Sequence, residues 1–206
     1  MTAQIEIEFD VPATMRDGVV LRATVFRPTG DGSYPVALTR TPYSKDLSSI
    51  TPFLDAMRLA RAGYIVVIQD VRGRYRSEGH WQPFINEAED GYDTVEWAAR
   101  LPGSSGSVGM LGASYYGFTQ WMAAKEVPPS LKAIVPAITW ADAGDGLIWR
   151  GGALELGTAG YWMFNALSLD IFFKRYADAP PHERAQAIGQ LIGEINRLRT
   201  DGYAAL

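Results

Sequence analysis

Apolar and polar positions alternate at the start of the chain. Ile5, Ile7 and Phe9 interleave with Gln4, Glu6 and Glu8, the two-residue period of a half-buried strand. Arg16-Asp17-Gly18 is a turn signal, and Leu21, Ala23 and Val25 then alternate again until Pro28 and Gly30 close the segment. Two extended segments joined by a turn predict an antiparallel start to a sheet. The pattern then changes. Val36-Ala37-Leu38 is a short apolar strand, Phe53 to Arg61 has helical spacing, with Thr51-Pro52 suited to its start and Gly63 to its end. Tyr64 to Ile68 is a nearly unbroken β-branched run, typical of a strand covered on both faces. Glu89 to Arg100 reads as a helix with Tyr92, Val95 and Ala99 on its inner stripe; Val108 to Ala113 as a strand; Tyr115 to Lys125 as a helix; and Ala133 to Val135 as a strand.

Strands alternating with helices predict an α/β domain, a mostly parallel sheet with helices on both faces. After about Trp140 the strand signal stops. Ala185, Ile188, Leu191, Ile192, Ile195 and Leu198 follow helical spacing behind Pro180-Pro181 and predict one long amphipathic helix. The boundary falls near residues 140 to 145, giving a sheet domain over 1–142 and a helical segment over 143–206. No internal repeat or flexible linker interrupts the chain.

Composition narrows the function classes. With 206 residues, 47% of them hydrophobic and 20% charged, the chain has material for a sizeable core and does not resemble a disordered one. A net charge of −4 provides no long-range attraction for nucleic acid or an anionic membrane. Arg72, Arg74 and Arg76 alternate, but Asp70 and Glu78 bracket them, which reads as local structure rather than a phosphate-binding patch. The chain contains no cysteine, so disulfides, thiolate nucleophiles and cysteine-based metal sites are excluded. No signal-peptide pattern and no bilayer-length apolar run is visible, and a cytoplasmic location is expected. No metal-ligand spacing, phosphate-binding loop or dinucleotide fingerprint occurs, so no cofactor is expected.

The sharpest chemical signal is Gly112-Ala113-Ser114-Tyr115-Tyr116-Gly117, which follows a strand and opens a helix. A nucleophilic serine needs that context: a tight reversal flanked by small residues, its hydroxyl exposed at the sheet's C-terminal edge, and the next backbone N–H aimed where an oxyanion would form. The motif departs from G-x-S-x-G, because Tyr116 stands where the second glycine belongs and glycine comes one residue later. By itself the hexapeptide is equally a serine that caps a helix after a strand.

The wider pattern resembles a family. Gly112 to Trp121 is similar to the nucleophile segment of the cocaine esterase and X-Pro dipeptidyl-peptidase superfamily of α/β-hydrolases, where the glycine is displaced in the same way. Asp70 to Gly79, Arg40-Thr41-Pro42-Tyr43 and Met15 to Val19 resemble three further segments of that superfamily in the same order. The resemblance spans residues 15 to about 165. It implies an α/β-hydrolase fold followed by the start of a helical cap, with Ser114 as nucleophile and the Tyr43 hydroxyl and Tyr115 backbone N–H as oxyanion donors. It further implies that Arg72 to Gly79 braces the site entrance, with an Asp70–Arg72 ion pair, and that Trp149 and Trp162 in the cap contact the acyl group of the substrate.

A serine hydrolase also needs a histidine base and an acid to orient it, both after the serine in the α/β-hydrolase order. His80 precedes Ser114, and His182 sits at the start of a cap helix. Asp142, Asp145, Asp170 and Asp178 lie in or beside the cap. None is a good base or acid, and the chain is expected to be the N-terminal part of a longer enzyme, inactive alone. The leading expectation is a carboxylic-ester hydrolase working through an acyl-enzyme on a small-molecule substrate. The alternatives are an X-Pro dipeptidyl-peptidase or an α-amino-acid ester hydrolase, which recognise a substrate ammonium group. A non-catalytic module, or a split enzyme whose triad a second polypeptide completes, are the readings from other classes. Homo-oligomerisation stays open.

Overall fold

The computed structural model describes residues 4–51, 53–142, 144 and 146–202. Pro52 and Asp145, invoked above, lie outside these. The chain divides into two compact units, Met1–Ala143 and Gly144–Leu206.

The first unit is built on a six-stranded sheet in the order β1-β2-β6-β3-β7-β8. Strands β1 (Ile5–Thr14) and β2 (Val20–Pro28) form the expected antiparallel pair around the turn at Asp17-Gly18. Strand β2 joins β6 (Ile65–Asp70) antiparallel, and from there the sheet is parallel through β3 (Tyr34–Thr41), β7 (Ser104–Ala113) and β8 (Leu131–Ala137). The expectation for the first strand needs correction: Ile7 and Phe9 are exposed, because β1 is an edge strand with a bulge between Glu8 and Val11.

Every residue of β6 is buried, as its β-branched run predicts. Ile65 and Val67 pack on one face with Val36 and Leu38 of β3 and with Val95 and Ala98 of α2 (Glu87–Ala99). Val66 and Ile68 pack on the other face with Ala37 and with Ala56 and Ala60 of α1 (Ala56–Arg61). Each valine, leucine or isoleucine among them contributes about 1.5–3 kcal/mol by leaving water. Helix α3 (Tyr115–Lys125) adds Ala123 to the α2 side, so helices cover both faces.

Two helices differ from expectation. Strand β4 (Ile50–Thr51) pairs antiparallel with β5 (Leu54–Asp55), and α1 begins only after Asp55, whose side chain accepts the Arg58 N–H and caps it. The buried face of α2 is not the Tyr92–Val95–Ala99 stripe. It includes Glu87, Asp90, Thr94, Val95 and Ala98, so it is part polar, while Tyr92 and Ala99 are only half-buried.

The parallel register aligns the C-terminal ends of β3, β6 and β7 at one edge, with Thr41 opposite Asp70. From β3 the chain moves to β6 on one side; from β7 it moves to β8 on the other. Loops leaving neighbouring strands in opposite directions open a crevice between them, the place where open α/β sheets bind ligands. Tyr43 follows β3, and Ser114 follows β7.

The second unit is mostly helical: α4 (Leu156–Trp162), a π-helical turn at Met163–Leu167, α5 (Ser168–Arg175) and α6 (Pro181–Asp201). The long helix begins at Pro181 as expected. Strand signal does not end at Trp140, however. β9 (Trp149–Arg150) and β10 (Ala153–Leu154) pair around Gly151-Gly152, both at positive φ. Among the described residues no helix is long and apolar enough to cross a membrane.

Candidate active site

Ser114 joins β7 to α3 at φ 56° and ψ −126°. A non-glycine residue there is strained, typically by about 1–3 kcal/mol, and persists only where its surroundings over-determine it. Here they do. Its N–H donates to the carbonyls of Ala137 (3.0 Å) and Ile138 (3.1 Å) at the end of β8. Its carbonyl accepts the Thr139 hydroxyl (2.7 Å) and the N–H groups of Gly117 and Phe118. The peptide groups on either side are thus anchored, while the Ser114 side chain is left exposed.

The displaced glycine has a steric cause. A Cβ on Gly112 would lie 2.5 Å from the Tyr116 Cβ, so glycine at the first position leaves room for a side chain at Tyr116. A Cβ on Gly117 would lie 2.6 Å from the Cβ of Thr139, the residue that anchors the Ser114 carbonyl.

A cavity of about 260 Å³ opens beside Ser114. Its wall comes from both sides of the crevice: Thr39, Thr51, Phe53 and Leu54 on the β3 side, Gly112, Ala113 and Tyr116 on the β7 side.

The structure brings Tyr43 next to the serine turn. Its ring meets Tyr116 at 5.6 Å and Tyr115 edge-on at 6.5 Å between centroids. The loop that carries it is held at many points. The Tyr43 N–H donates to the Thr41 hydroxyl (3.0 Å), and Ser48 Oγ donates to the Ser44 carbonyl (2.6 Å) while bonding the Tyr116 hydroxyl (3.0 Å). The Lys45 N–H donates to Asp70 Oδ1 (2.6 Å), and the Lys45 ammonium, itself buried, pairs with Asp10 (2.8 Å) and Asp46 (2.7 Å).

Three features here lay outside the sequence reading. First, Asp70 does not pair with Arg72. Its carboxylate faces the loop after β3 and accepts the N–H groups of Lys45 and Arg76, while Arg72 pairs with Asp90 (2.6 Å) and Asp17 (2.7 Å). Alternating residues leave a turn in different directions, so sequence neighbours of opposite charge need not meet. Second, Arg74 is fully buried, lies over the Trp81 ring and donates to the Pro42 carbonyl (2.9 Å), tying the arginine loop to the Tyr43 loop. Third, the Tyr115 phenol turns inward. It donates to Glu87 Oε1 (2.8 Å), and Glu87 Oε2 accepts from Arg40 Nη1 (2.9 Å). Burial pushes the Glu87 carboxyl up, opposed by Arg40 and by the bond from Tyr115. Burial and the Glu87 charge push the Tyr115 phenol well up, so it remains a donor. No sequence signal marked this cluster: Glu87 precedes the helix expected from Glu89, and Asp90 lies off the expected Tyr92–Val95–Ala99 stripe.

His80 is exposed in the loop between β6 and α2, and no hydrogen bond links it to Ser114. His182 lies in the first turn of α6, in the second unit. Trp149, on β9, is exposed, and Trp162 ends α4, half-buried. Among the described residues no cluster of three or more His, Cys, Asp or Glu could hold a metal ion.

These features invite comparison with known proteins. Residues 17–200 match the family described as X-Pro dipeptidyl-peptidase (S15 family). The chain belongs to that family. It is 38% identical over 195 residues to cocaine esterase from Rhodococcus sp. (strain MB1 Bresler), covering 91% of this chain and 33% of that protein. Among solved structures, it is similar to a CocE/NonD family hydrolase from Staphylococcus aureus (28% identity, TM-score 0.72, covering 87% of this chain and 38% of that one). It is also similar to an α-amino acid ester hydrolase (31% identity, TM-score 0.65, covering 82% of this chain and 31% of that one). The fold is that of the α/β-hydrolases. The chain spans between 26% and 33% of the length of the curated relatives it matches.

Asp70 yields a pH prediction. Burial pushes its carboxyl up to about 6, against its two N–H bonds and the Lys45 charge. An acid whose pKa rises on folding opposes folding once ionised. Its penalty is absent below the unfolded pKa, grows as pH rises from about 4 to 6, and is constant above. Relative to Asp70→Asn, the protein is expected to lose up to about 3 kcal/mol across that window. Urea unfolding of both proteins at several pH values checks it. A difference independent of pH would count against it.

Proposed function

We propose that the chain carries the nucleophile and oxyanion donors of a serine hydrolase that cleaves carboxylic esters through an acyl-enzyme. The observation that carries this reading is Ser114 itself: strained, exposed, anchored on both sides, and set beside a cavity at the point where the sheet connections diverge. In the proposed cycle Ser114 Oγ attacks the ester carbonyl. The Tyr43 hydroxyl and the Tyr115 backbone N–H hold the tetrahedral oxyanion, the alcohol leaves, and water releases the acid. Tyr115 opens α3, so its N–H belongs to the first helical turn, where N–H groups lack intrahelical acceptors.

A histidine and an acid outside these 206 residues supply acid–base catalysis in this reading. The family and its named relatives support a hydrolase, and the relative named for its esterase activity supports an ester substrate. The cavity favours the plain esterase over a peptidase or amino-acid ester hydrolase. None of its described lining residues carries a carboxylate for a substrate ammonium group, whereas Phe53 and Leu54 suit an apolar arm. Trp149 and Trp162 are proposed as aromatic contacts for the acyl group. A cytoplasmic site of action is part of the proposal, in keeping with a chain without cysteine.

Three measurements test it. In the full-length natural protein, Ser114→Ala is expected to abolish turnover of a chromogenic aryl ester; activity near the wild-type level would end the proposal. Tyr43→Phe keeps the ring and removes the donor. It is expected to lower kcat about 100- to 1,000-fold, roughly 3 kcal/mol, with little change in melting temperature. An unaltered kcat would remove Tyr43 from the oxyanion hole. Finally, residues 1–206 expressed alone are expected to show no Ser114-dependent esterase activity, since a serine hydroxyl needs an adjacent base. Ser114-dependent turnover by that polypeptide would place the base within it.

A further inference from the structure

One group of buried charges in the first unit meets the side chain of Tyr115, the residue that follows Ser114. Glu87 is 2% exposed and Arg40 fully buried. Moving a carboxylate and a guanidinium out of water is costly, and a hydrophobic pair of similar size often serves stability as well or better. What this pair connects is therefore informative.

The two carboxylate oxygens of Glu87 serve two different loops. Oε2 accepts from Arg40 Nη1 (2.9 Å), and the same nitrogen donates to the Glu87 carbonyl (3.2 Å). Arg40 Nε donates to Gln69 Oε1 (2.9 Å), which also accepts from the Thr94 hydroxyl (2.9 Å). Arg40 lies on β3, directly before the loop that carries Tyr43. Oε1 accepts from the Tyr115 phenol (2.8 Å). Tyr115 is the first residue of α3, directly after Ser114. The same phenol accepts the N–H of Phe84 (3.2 Å), a residue at φ 70°, whose ring stacks on Tyr115 at 5.3 Å. One carboxylate thus bridges the strand that leads to Tyr43 and the residue that follows Ser114.

We infer that Glu87 is a positioning residue. Its buried carboxylate, held between Arg40 and Tyr115, fixes the spacing of the two oxyanion donors. The inference rests on the roles proposed for Ser114, Tyr43 and Tyr115, and it assigns Glu87 no contact with substrate. An oxyanion hole works because its donors are already placed when charge develops. Two donors on separate loops keep their separation more closely where the loops share a rigid partner. Glu87 is fixed in turn by α2, whose neighbouring Asp90 holds Arg72 at 2.6 Å.

Glu87→Gln in the full-length natural protein is the discriminating variant. It keeps the shape and one acceptor oxygen and removes the charge. Supporting outcomes are a kcat for an aryl ester lowered about 10- to 100-fold, the magnitude typical where a group that orients a metal ligand is removed, and a KM within about threefold of wild type. Two further readouts separate positioning from general loosening. Hydrogen exchange followed by mass spectrometry should quicken in peptides spanning residues 40–48 and 112–118 and stay unchanged in the β6 peptide. In a Tyr43→Phe background Glu87→Gln should cost less than it does alone, because one of the donors it places is already gone. If Glu87→Gln does not fold, Tyr115→Phe, which keeps the Arg40–Glu87 pair and removes one bond to it, is expected to lower kcat with the same exchange pattern. A folded variant with wild-type kcat, exchange that quickens throughout the sheet, or strict additivity with Tyr43→Phe overturns the inference. Loss of activity in Ser114→Ala and Tyr43→Phe with normal turnover in Glu87→Gln removes this inference alone. Normal turnover in Ser114→Ala removes the proposed function, and the positioning role with it.

Discussion

The turn at Ser114 is the constraint on which the site depends. A residue at φ 56° gives up conformational energy, and the turn holds because three neighbouring structures would have to let go together. The end of β8 accepts its N–H, Thr139 donates to its carbonyl, and α3 begins on that same carbonyl. The strain is therefore financed by sheet and helix rather than by the loop. This also explains why the site sits where it does. At the divergence between β3 and β7, the chain can turn sharply without crowding a crossover helix on the same side.

Around that turn the molecule uses charge where a core would ordinarily use hydrocarbon. Arg40, Lys45, Asp70, Arg74, Glu87 and Asp90 are all buried. Most answer to a backbone group or an opposite charge in a different loop: Lys45 N–H to Asp70, Arg74 to the Pro42 carbonyl, Arg40 to Glu87. Hydrogen bonds have direction and hydrophobic contacts do not. Loops that are held at a fixed spacing gain more from the former.

What could be read from the sequence follows the same division. The parallel strands and their helices were legible because their apolar periods are strong, and α3 begins and ends where the spacing places it. The serine turn was legible because tight turns demand small residues at fixed offsets. The polar supports were not. Glu87 and Asp90 look like an ordinary acidic first turn of a helix, and only the tertiary structure reveals that this face is the inner one. The supposed Asp70–Arg72 pair failed for a related reason. Spacing along a chain says which side chains are near in sequence, but in a turn it does not say which way they leave the backbone. The start of α1 was misjudged because the β4–β5 pairing and a capping Asp55 compete locally with helical propensity.

The buried guanidinium of Arg40 also bears on how the domain assembles. While α2 is undocked, β3 cannot be covered on that side without stranding a cation from water, and Glu87 has no reason to leave solvent until Arg40 is there to meet it. Sheet centre and helix therefore close in one concerted event. An intermediate with the sheet packed and α2 loose would carry the desolvation of one charge without the attraction of the other. Such a domain is expected to lose its α2 face and its central strand together, making the scaffold behind the serine a single cooperative unit rather than a sheet with a detachable helix.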